Sequence, residues 1–505
     1  MRESGEPESG EPESGEPDRR PGAGGPPFDP ERFRREGRVV IDWIADYWAS
    51  LPAQRVLSDV EPGEIAARLP PAAPETPESL AAVLGDLERI IVPGLTHWQH
   101  PGFFAYFPAN ASGPSILGEL LSAGLGIQGM LWTTSPAATE LEGIVVDWLR
   151  QLLGLPDRFR LGGDGGGMIQ DSASSGLLCC LVAARERAAA SGTGPCLVYA
   201  SADAHSSVVK GAKIAGFLPA AIRRIDTDSA GRLRPDLLEA AMRDDAAAGR
   251  VPCFVVATVG TTARGAIDPV AAIGTIARRY GAWLHVDAAW AGTAAICSEL
   301  RPMIVDGAEL ADSWGTNPHK SMLVNFDCHC LWIASRQTLA TALTTKPEYL
   351  RTAVGDTGAV VDYSDWQVPL GRRFRALKLW MVLRMIGAEA LRQRVRDQVA
   401  WTAEFADLVA ADPAFEILSS PSLALVTFAL RSGDEATAAL LARVNRAGSV
   451  FLSHARVGGR HAIRLAVGGT LTSRADVLGA WGVIAAAAAD PVLMSKARGR
   501  PAEER

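Results

Sequence analysis

Between about residues 165 and 335 short apolar runs alternate with helix-patterned segments, and this alternation limits the fold more than any other feature of the chain. The strand candidates are Cys196 to Ala200, Phe254 to Val259, Trp283 to Asp287 and Leu323 to Ile333, rich in β-branched and aromatic residues. Strands of this kind separated by helices argue for a mostly parallel sheet covered by helices, with ligand groups at the strand ends. A chain of 505 residues, 48% hydrophobic and 21% charged, has material for a large core and for more than one domain.

Three stretches within this region carry chemistry. Asn317-Pro318-His319-Lys320 precedes the strand-like run Leu323-Val324-Asn325-Phe326. A lysine held beside a buried strand loses its proton readily, because desolvation disfavours the ammonium, and a neutral amine can form a Schiff base. Alone, the tetrapeptide fits an ordinary loop lysine equally well. Upstream, Trp283-Leu284-His285-Val286-Asp287-Ala288-Ala289 ends a hydrophobic strand in a carboxylate flanked by small residues. That pattern suits either a turn cap or a partner for the protonated ring nitrogen of pyridoxal phosphate. The glycine-rich stretch Gly165 to Gly167 runs through Ser172-Ala173-Ser174-Ser175 into a helical pattern. It reads as a flexible loop with an N-cap or as an anion site at a helix N-terminus. Phosphate cradle, ring-nitrogen carboxylate and Schiff-base lysine, in that order, make one working cofactor site.

Composition narrows the alternatives. The formal net charge of −7 gives no electrostatic case for nucleic acid. No apolar run is long enough to span a bilayer, and the N-terminus lacks a signal-peptide core, so no membrane partner is expected. Cys179, Cys180, Cys196, Cys253, Cys297, Cys328 and Cys330 show neither disulfide nor zinc-ligand spacing, which fits a reduced, cytoplasmic setting. His97 and His100 stand three apart without acidic ligands, so no metal is expected.

Residues 1–27 hold Glu-Ser-Gly-Glu-Pro three times and then a Pro/Gly-rich stretch, a composition expected to stay disordered. Helices are expected from Asp29-Pro30, with Phe33, Val40, Trp43, Ile44, Tyr47 and Trp48 near helical spacing, and from about Pro77 to Ile91. The segment Trp98 to Pro108 is unusually aromatic for a chain with 7% aromatic residues, and by composition alone it fits plain core. Ser135-Pro136 predicts a helix to about Gly154 with Leu141, Ile144, Val145, Trp148 and Leu152 on its buried side. His205 opens a helix-like segment, and Thr261-Thr262 follows a buried strand. From about Arg336 to Asp365 the chain is polar and reads as a lid or a disordered loop. Gly371-Arg372-Arg373-Phe374 opens a long helix with Leu377, Leu379, Trp380, Leu383 and Ile386 as core positions. Beyond residue 400, strand candidates Leu423 to Leu430 and Ile463 to Val467 alternate with helices at 434–446 and 473–489. The expected division is 28–110 for an N-terminal helical segment, 111–399 for a large domain, 400–490 for a small α/β domain and 491–505 for a frayed end.

From Phe28 to Ala488 the chain resembles the group II pyridoxal-phosphate-dependent amino-acid decarboxylases, close in pattern to the aromatic-L-amino-acid decarboxylases that act on dopa, tryptophan or tyrosine. The resemblance implies an α/β architecture of fold type I, aspartate-aminotransferase-like, with a mostly parallel seven-stranded sheet, helices on both faces and a smaller C-terminal α/β domain. It implies pyridoxal 5'-phosphate on Lys320, with Asp287 on the ring nitrogen, His205 stacked on one ring face and Ala289 on the other. Thr262 would lie near the cofactor, Ala173, Ser174 and Asn317 would hold the phosphate, and His319 would assist substrate binding or proton transfer. Trp98, Tyr106, Phe107 and Pro108 belong to the substrate pocket in this comparison, with Ala109 where the pattern often has Thr. Gln128 and Met130, replacing Ile and Phe of the animal enzymes, would reach a partner subunit's site, so a homodimer with shared active sites is implied. Tyr349 would protonate the carbanion carbon, which favours plain decarboxylation over oxidative formation of an aromatic acetaldehyde. Gly371 leans toward indole substrates, Ser321 and Trp290 depart from a common Trp and Tyr, and Ser453, His454 and Arg464 echo the pattern without an assigned role.

Overall fold

The computed structural model describes residues 28–190, 194–345 and 347–490. The repeated N-terminal segment and the residues from 491 onward lie outside the described residues. The chain divides into two compact units, one formed by residues up to Ala53 together with Ser58–Thr96, the other by Gln54–Leu57 and the chain from His97.

In the first unit, the expected helix spans Pro30–Ser50, and Asp29 caps it by accepting the N–H groups of Glu31 and Arg32. No residue of that helix is buried. Trp43 donates its indole N–H to Glu88 at 2.8 Å, tying the helix to the turn Leu87–Ile91 that continues the helix Leu80–Asp86.

The second unit holds a seven-stranded sheet made of β1 (Gly166–Gln170), β2 (Cys196–Ser201), β3 (Ile222–Ile225), β4 (Val251–Thr258), β5 (Trp283–Asp287), β6 (Ser313–Thr316) and β7 (His329–Ile333). The order is β1-β7-β6-β5-β4-β2-β3, with only β7 antiparallel to its neighbours. Alternation along β4 sends Val255 and Ala257 into one core and Phe254 and Val256 into another, so both sheet faces are buried. The helix Val270–Arg279 covers the first face and the helix Ala173–Ala189 the second. A second sheet, β8 (Phe415–Ser422), β9 (Leu425–Leu430), β10 (Ser453–Val457) and β11 (Arg460–Ala466), is wholly antiparallel in the order β10-β11-β9-β8. Helices Ala388–Ala411, Asp434–Ala447 and Arg474–Ala488 pack with it in the core it shares with the large sheet.

Several sequence expectations are corrected. Gly166 and Gly167 are in β1 rather than in a loop: a Cβ at Gly167 would lie 2.7 Å from Trp332 Cδ1 and closer still to Val146, so glycine is needed there for packing. Residues 323–326 form no strand, because Leu323 adopts a left-handed φ of 60°, held by Asn110 Oδ1 on its N–H and by the Ser112 hydroxyl on its carbonyl. The helix Pro136–Leu153 buries Val145, Val146, Leu149 and Leu153, whereas Ile144 and Trp148 are exposed. Its face is turned by Glu142, which accepts the Ile169 N–H of β1 and pairs with the buried Arg372. The segment 336–365 is not one loop, since it contains helices Arg336–Leu343 and Ala353–Asp356. The helix expected to open at Gly371 begins at Ala376, because Arg372 is drawn inward to Glu142, Gln367 and the Ile169 carbonyl.

Candidate active site

Strands β1, β2, β4, β5 and β6 all run in one direction, so their carboxyl ends share one sheet edge. The residues that follow those ends are the chemically promising ones. Ala173 and Ser174 follow β1, His205 follows β2, Thr262 follows β4, Asp287 and Ala289 end β5, and Asn317, His319 and Lys320 follow β6. This is the edge where ligand sites form in open α/β sheets.

Lys320 sits in the short helix Pro318–Ser321. Burial pushes its ammonium below the ordinary value, Asp287 pulls it back up, and the Arg464 guanidinium pushes it further down. Desolvation is the largest effect, so the amine gives up its proton more readily than that of an exposed lysine. His205 feels the same charges: partial burial lowers it, Asp287 raises it and Lys320 lowers it. As a residue His205 is exposed, and solvent screens those charges more than it does at Lys320. Its Nδ1 accepts the Ser207 N–H at 3.2 Å, which leaves the ring proton of the neutral form on Nε2.

His319 is 5% exposed, and its Nδ1 accepts the Cys328 N–H at 2.9 Å. Burial lowers its pKa to about 4, with Lys320 adding to the effect. It is therefore a neutral imidazole offering an Nε2–H donor. At the first turn of the helix Ala173–Ala189, Ser172 accepts the Ser175 N–H, while the N–H groups of Ala173 and Ser174 bond no described residue. Two free N–H groups at a helix N-terminus suit an anion. Asp287 accepts the Ala289 N–H at 3.1 Å, and Ala289 is half-buried beside it.

An aromatic wall stands over the amine. Lys320 Nζ lies 5.3 Å from the centroid of Phe107, which stacks on Trp290 at 4.4 Å and 22°. Trp290, one of the departures noted in the sequence, is thus part of the wall. Tyr106 carries a φ of 53°, a strained conformation for an aromatic residue, and stacks on Trp98 at 5.9 Å. Ser453 accepts the Tyr106 N–H at 3.0 Å, and Arg464 donates to its carbonyl at 3.2 Å. Pro108 is buried, Ala109 half-buried, and the latter's carbonyl accepts from Gln99.

Other expected site residues are placed apart. Gln128 is exposed; its Oε1 accepts the Arg372 N–H at 2.6 Å, and a Cβ at Gly371 would lie 3.2 Å from its Nε2. Met130, whose carbonyl accepts the Ser364 N–H, belongs to this same neighbourhood. Neither touches Lys320, Asp287 or His205 among the described contacts. Thr262 is exposed, and the buried hydroxyl at that turn is Thr261, which accepts the Ala266 N–H. Tyr349 is 80% exposed. Sequence reasoning gave Arg464 no role and missed Asn110 and His329. Arg464 is 2% exposed, with Nε and Nη2 bonding no described residue. Asn110 ties the aromatic segment to Leu323 and Gly468. His329 donates to Asn317. An arginine alternating with apolar residues in Ile463-Arg464-Leu465 was the one available signal.

A desolvated amine that feels the charge of a nearby carboxylate, on the same carboxyl edge of a mostly parallel sheet as two free helix N–H groups, defines an enzyme site able to condense with an aldehyde and hold an anionic group. The comparisons agree: residues 62–431 match the pyridoxal-dependent decarboxylase conserved domain, and the chain belongs to that family. It is 46% identical over 471 residues to a phenylacetaldehyde synthase of Arabidopsis thaliana, covering 91% of this chain and 96% of that one. It is also 46% identical over 476 residues to tyrosine decarboxylase 2 of the same plant, covering 91% and 87%. Among solved structures, Oryza sativa TDC with PLP and tryptamine superposes with a TM-score of 0.89 at 40% identity, covering 92% of this chain and 99% of that one.

Proposed function

We propose that the chain decarboxylates an aromatic L-amino acid to the arylalkylamine and carbon dioxide, using pyridoxal 5'-phosphate. The observation that carries this reading is the desolvated Lys320 amine beside Asp287 and under the Phe107–Trp290 stack. The names of the relatives, tyrosine decarboxylase and phenylacetaldehyde synthase, support an aromatic substrate.

The residues present fit the cofactor. Lys320 would hold it through its side-chain amine, Asp287 would pair with the ring nitrogen, and His205 and Ala289 would flank the ring. The N–H groups of Ala173 and Ser174, with Asn317 and the Nε2–H of His319, would hold the phosphate. When bound, pyridoxal phosphate supplies the sink for the electron pair released as the carboxylate leaves. The chain's own residues do the rest. The aromatic wall takes the substrate ring and excludes water from one side. Asp287 supplies a fixed negative charge, and Tyr349 would deliver a proton to the substrate carbon once its segment closes over the site.

We further propose a homodimer that shares its active sites. The exposed Leu117, Leu120, Leu121 and Leu125 on the helix Gly113–Leu125 support it, as does the exposure of Tyr349. A panel of tryptophan, 5-hydroxytryptophan, dopa, tyrosine and phenylalanine, with carbon dioxide and products identified by mass, tests the reaction. Release of carbon dioxide with the matching amine is expected. An aromatic acetaldehyde with ammonia would favour the oxidative alternative, and no carbon dioxide from any of the five would overturn the reading.

A further inference from the structure

One buried imidazole beneath the Lys320 cluster has no part in the chemistry above. His329 opens β7, is 1% exposed, and is wedged between two glycines. A Cβ at Gly315 would lie 2.8 Å from its Cε1, and a Cβ at Gly176 would lie 2.8 Å from its Nε2. The ring therefore fills the gap between β6 and the first turn of the helix Ala173–Ala189.

Its hydrogen bond to Asn317 assigns its tautomer. Nδ1 lies 2.6 Å from Asn317 Oδ1. Nε2 has no hydrogen-bond partner among the described residues. An amide oxygen only accepts, so Nδ1 carries the proton. Asn317 Nδ2 is turned away from the ring and bonds no described residue. The side chain does not cap the helix Pro318–Ser321 either.

We propose that His329 is a positioning residue for the anionic end of the cofactor: by donating to Asn317 Oδ1 it locks the amide with its NH2 group free to donate to the phosphate. The same ring abuts the turn that offers the Ala173 and Ser174 N–H groups, so it spaces the two halves of the cradle. An amide turned the other way would present an oxygen to the phosphate. This inference rests on the reading of the site as one for pyridoxal phosphate.

The test uses cofactor-free full-length protein titrated with pyridoxal 5'-phosphate and, separately, with pyridoxal, which lacks the phosphate. His329→Ala should weaken binding of the phosphorylated ligand roughly tenfold, as losses of orienting partners do at other sites, and leave pyridoxal affinity unchanged. His329→Asn, whose amide N–H can replace Nδ1–H, should restore most of the affinity. Nitrogen NMR of the wild-type ring should show the Nδ1–H tautomer. An Nε2–H tautomer, or an equal loss for both ligands, would overturn the positioning role. Wild-type protein that binds neither ligand would instead overturn the cofactor reading itself.

Discussion

Gly176→Ala probes a tightly packed contact under the site. The new methyl group would lie 2.8 Å from His329 Nε2 and 3.0 Å from its Cδ2. The ring has no simple retreat, because Asn317 holds Nδ1 at 2.6 Å and Gly315 closes the other side. Overpacking of this kind costs about 1–3 kcal/mol, whereas replacing a helical glycine by alanine gains roughly 0.5–1 kcal/mol. The net expectation is a loss of about 0–2.5 kcal/mol in the wild-type background. In a His329→Ser background the clash disappears, so the same substitution should stabilise by up to about 1 kcal/mol. Denaturant midpoints of the four cofactor-free proteins measure the cycle, and the coupling between the two sites should be about 1–3 kcal/mol. Equal stabilisation by Gly176→Ala in both backgrounds would show that the imidazole does not occupy this gap.

The buried Glu142–Arg372 pair, with side chains 5% and 2% exposed, fastens β1 to the segment that carries Gly371. Glu142→Gln leaves the guanidinium uncompensated and should cost about 3–5 kcal/mol by denaturant midpoint; a loss under about 1 kcal/mol contradicts the assignment. Burial lowers His285 and His319 to about 4, so between pH 6.5 and 4 the unfolded chain binds protons that the folded chain refuses. Stability is therefore lost as pH falls through that window, on the order of 3 kcal/mol for each group, and His285→Gln should flatten the stability profile measured there. Tyr349→Phe should divert product from amine toward aldehyde and ammonia in the presence of oxygen, and an unchanged product ratio removes Tyr349 from proton delivery.

Much of the large sheet was legible because buried strands carry a simple signal. The candidates at 196–200, 254–259 and 283–287 lie within a few residues of β2, β4 and β5. The edge strand β3 escaped because Ile222-Arg223-Arg224-Ile225 is half polar, and β1 because its glycines imitate a loop. Residues 323–326 misled for the opposite reason: their apolar pattern is that of a strand, but Asn110 and Ser112, more than 200 residues away, hold Leu323 in a turn. The same division applies to the site. The placement of Ala173, Asp287 and Lys320 on one sheet edge was readable because each ends or follows a strand of one parallel set. Arg464 and His329 were not, since what each does depends on groups that only the fold brings within reach: Tyr106 and Phe107 for the first, Asn317 and Gly176 for the second.

The most direct measurement mixes cofactor-free protein with pyridoxal 5'-phosphate, reduces the mixture with borohydride, and maps the label by peptide mass. A single phosphopyridoxyl group on Lys320, absent from Lys320→Ala, is the predicted result. Label spread over exposed lysines such as Lys210, with Lys320 unmodified, would contradict the account.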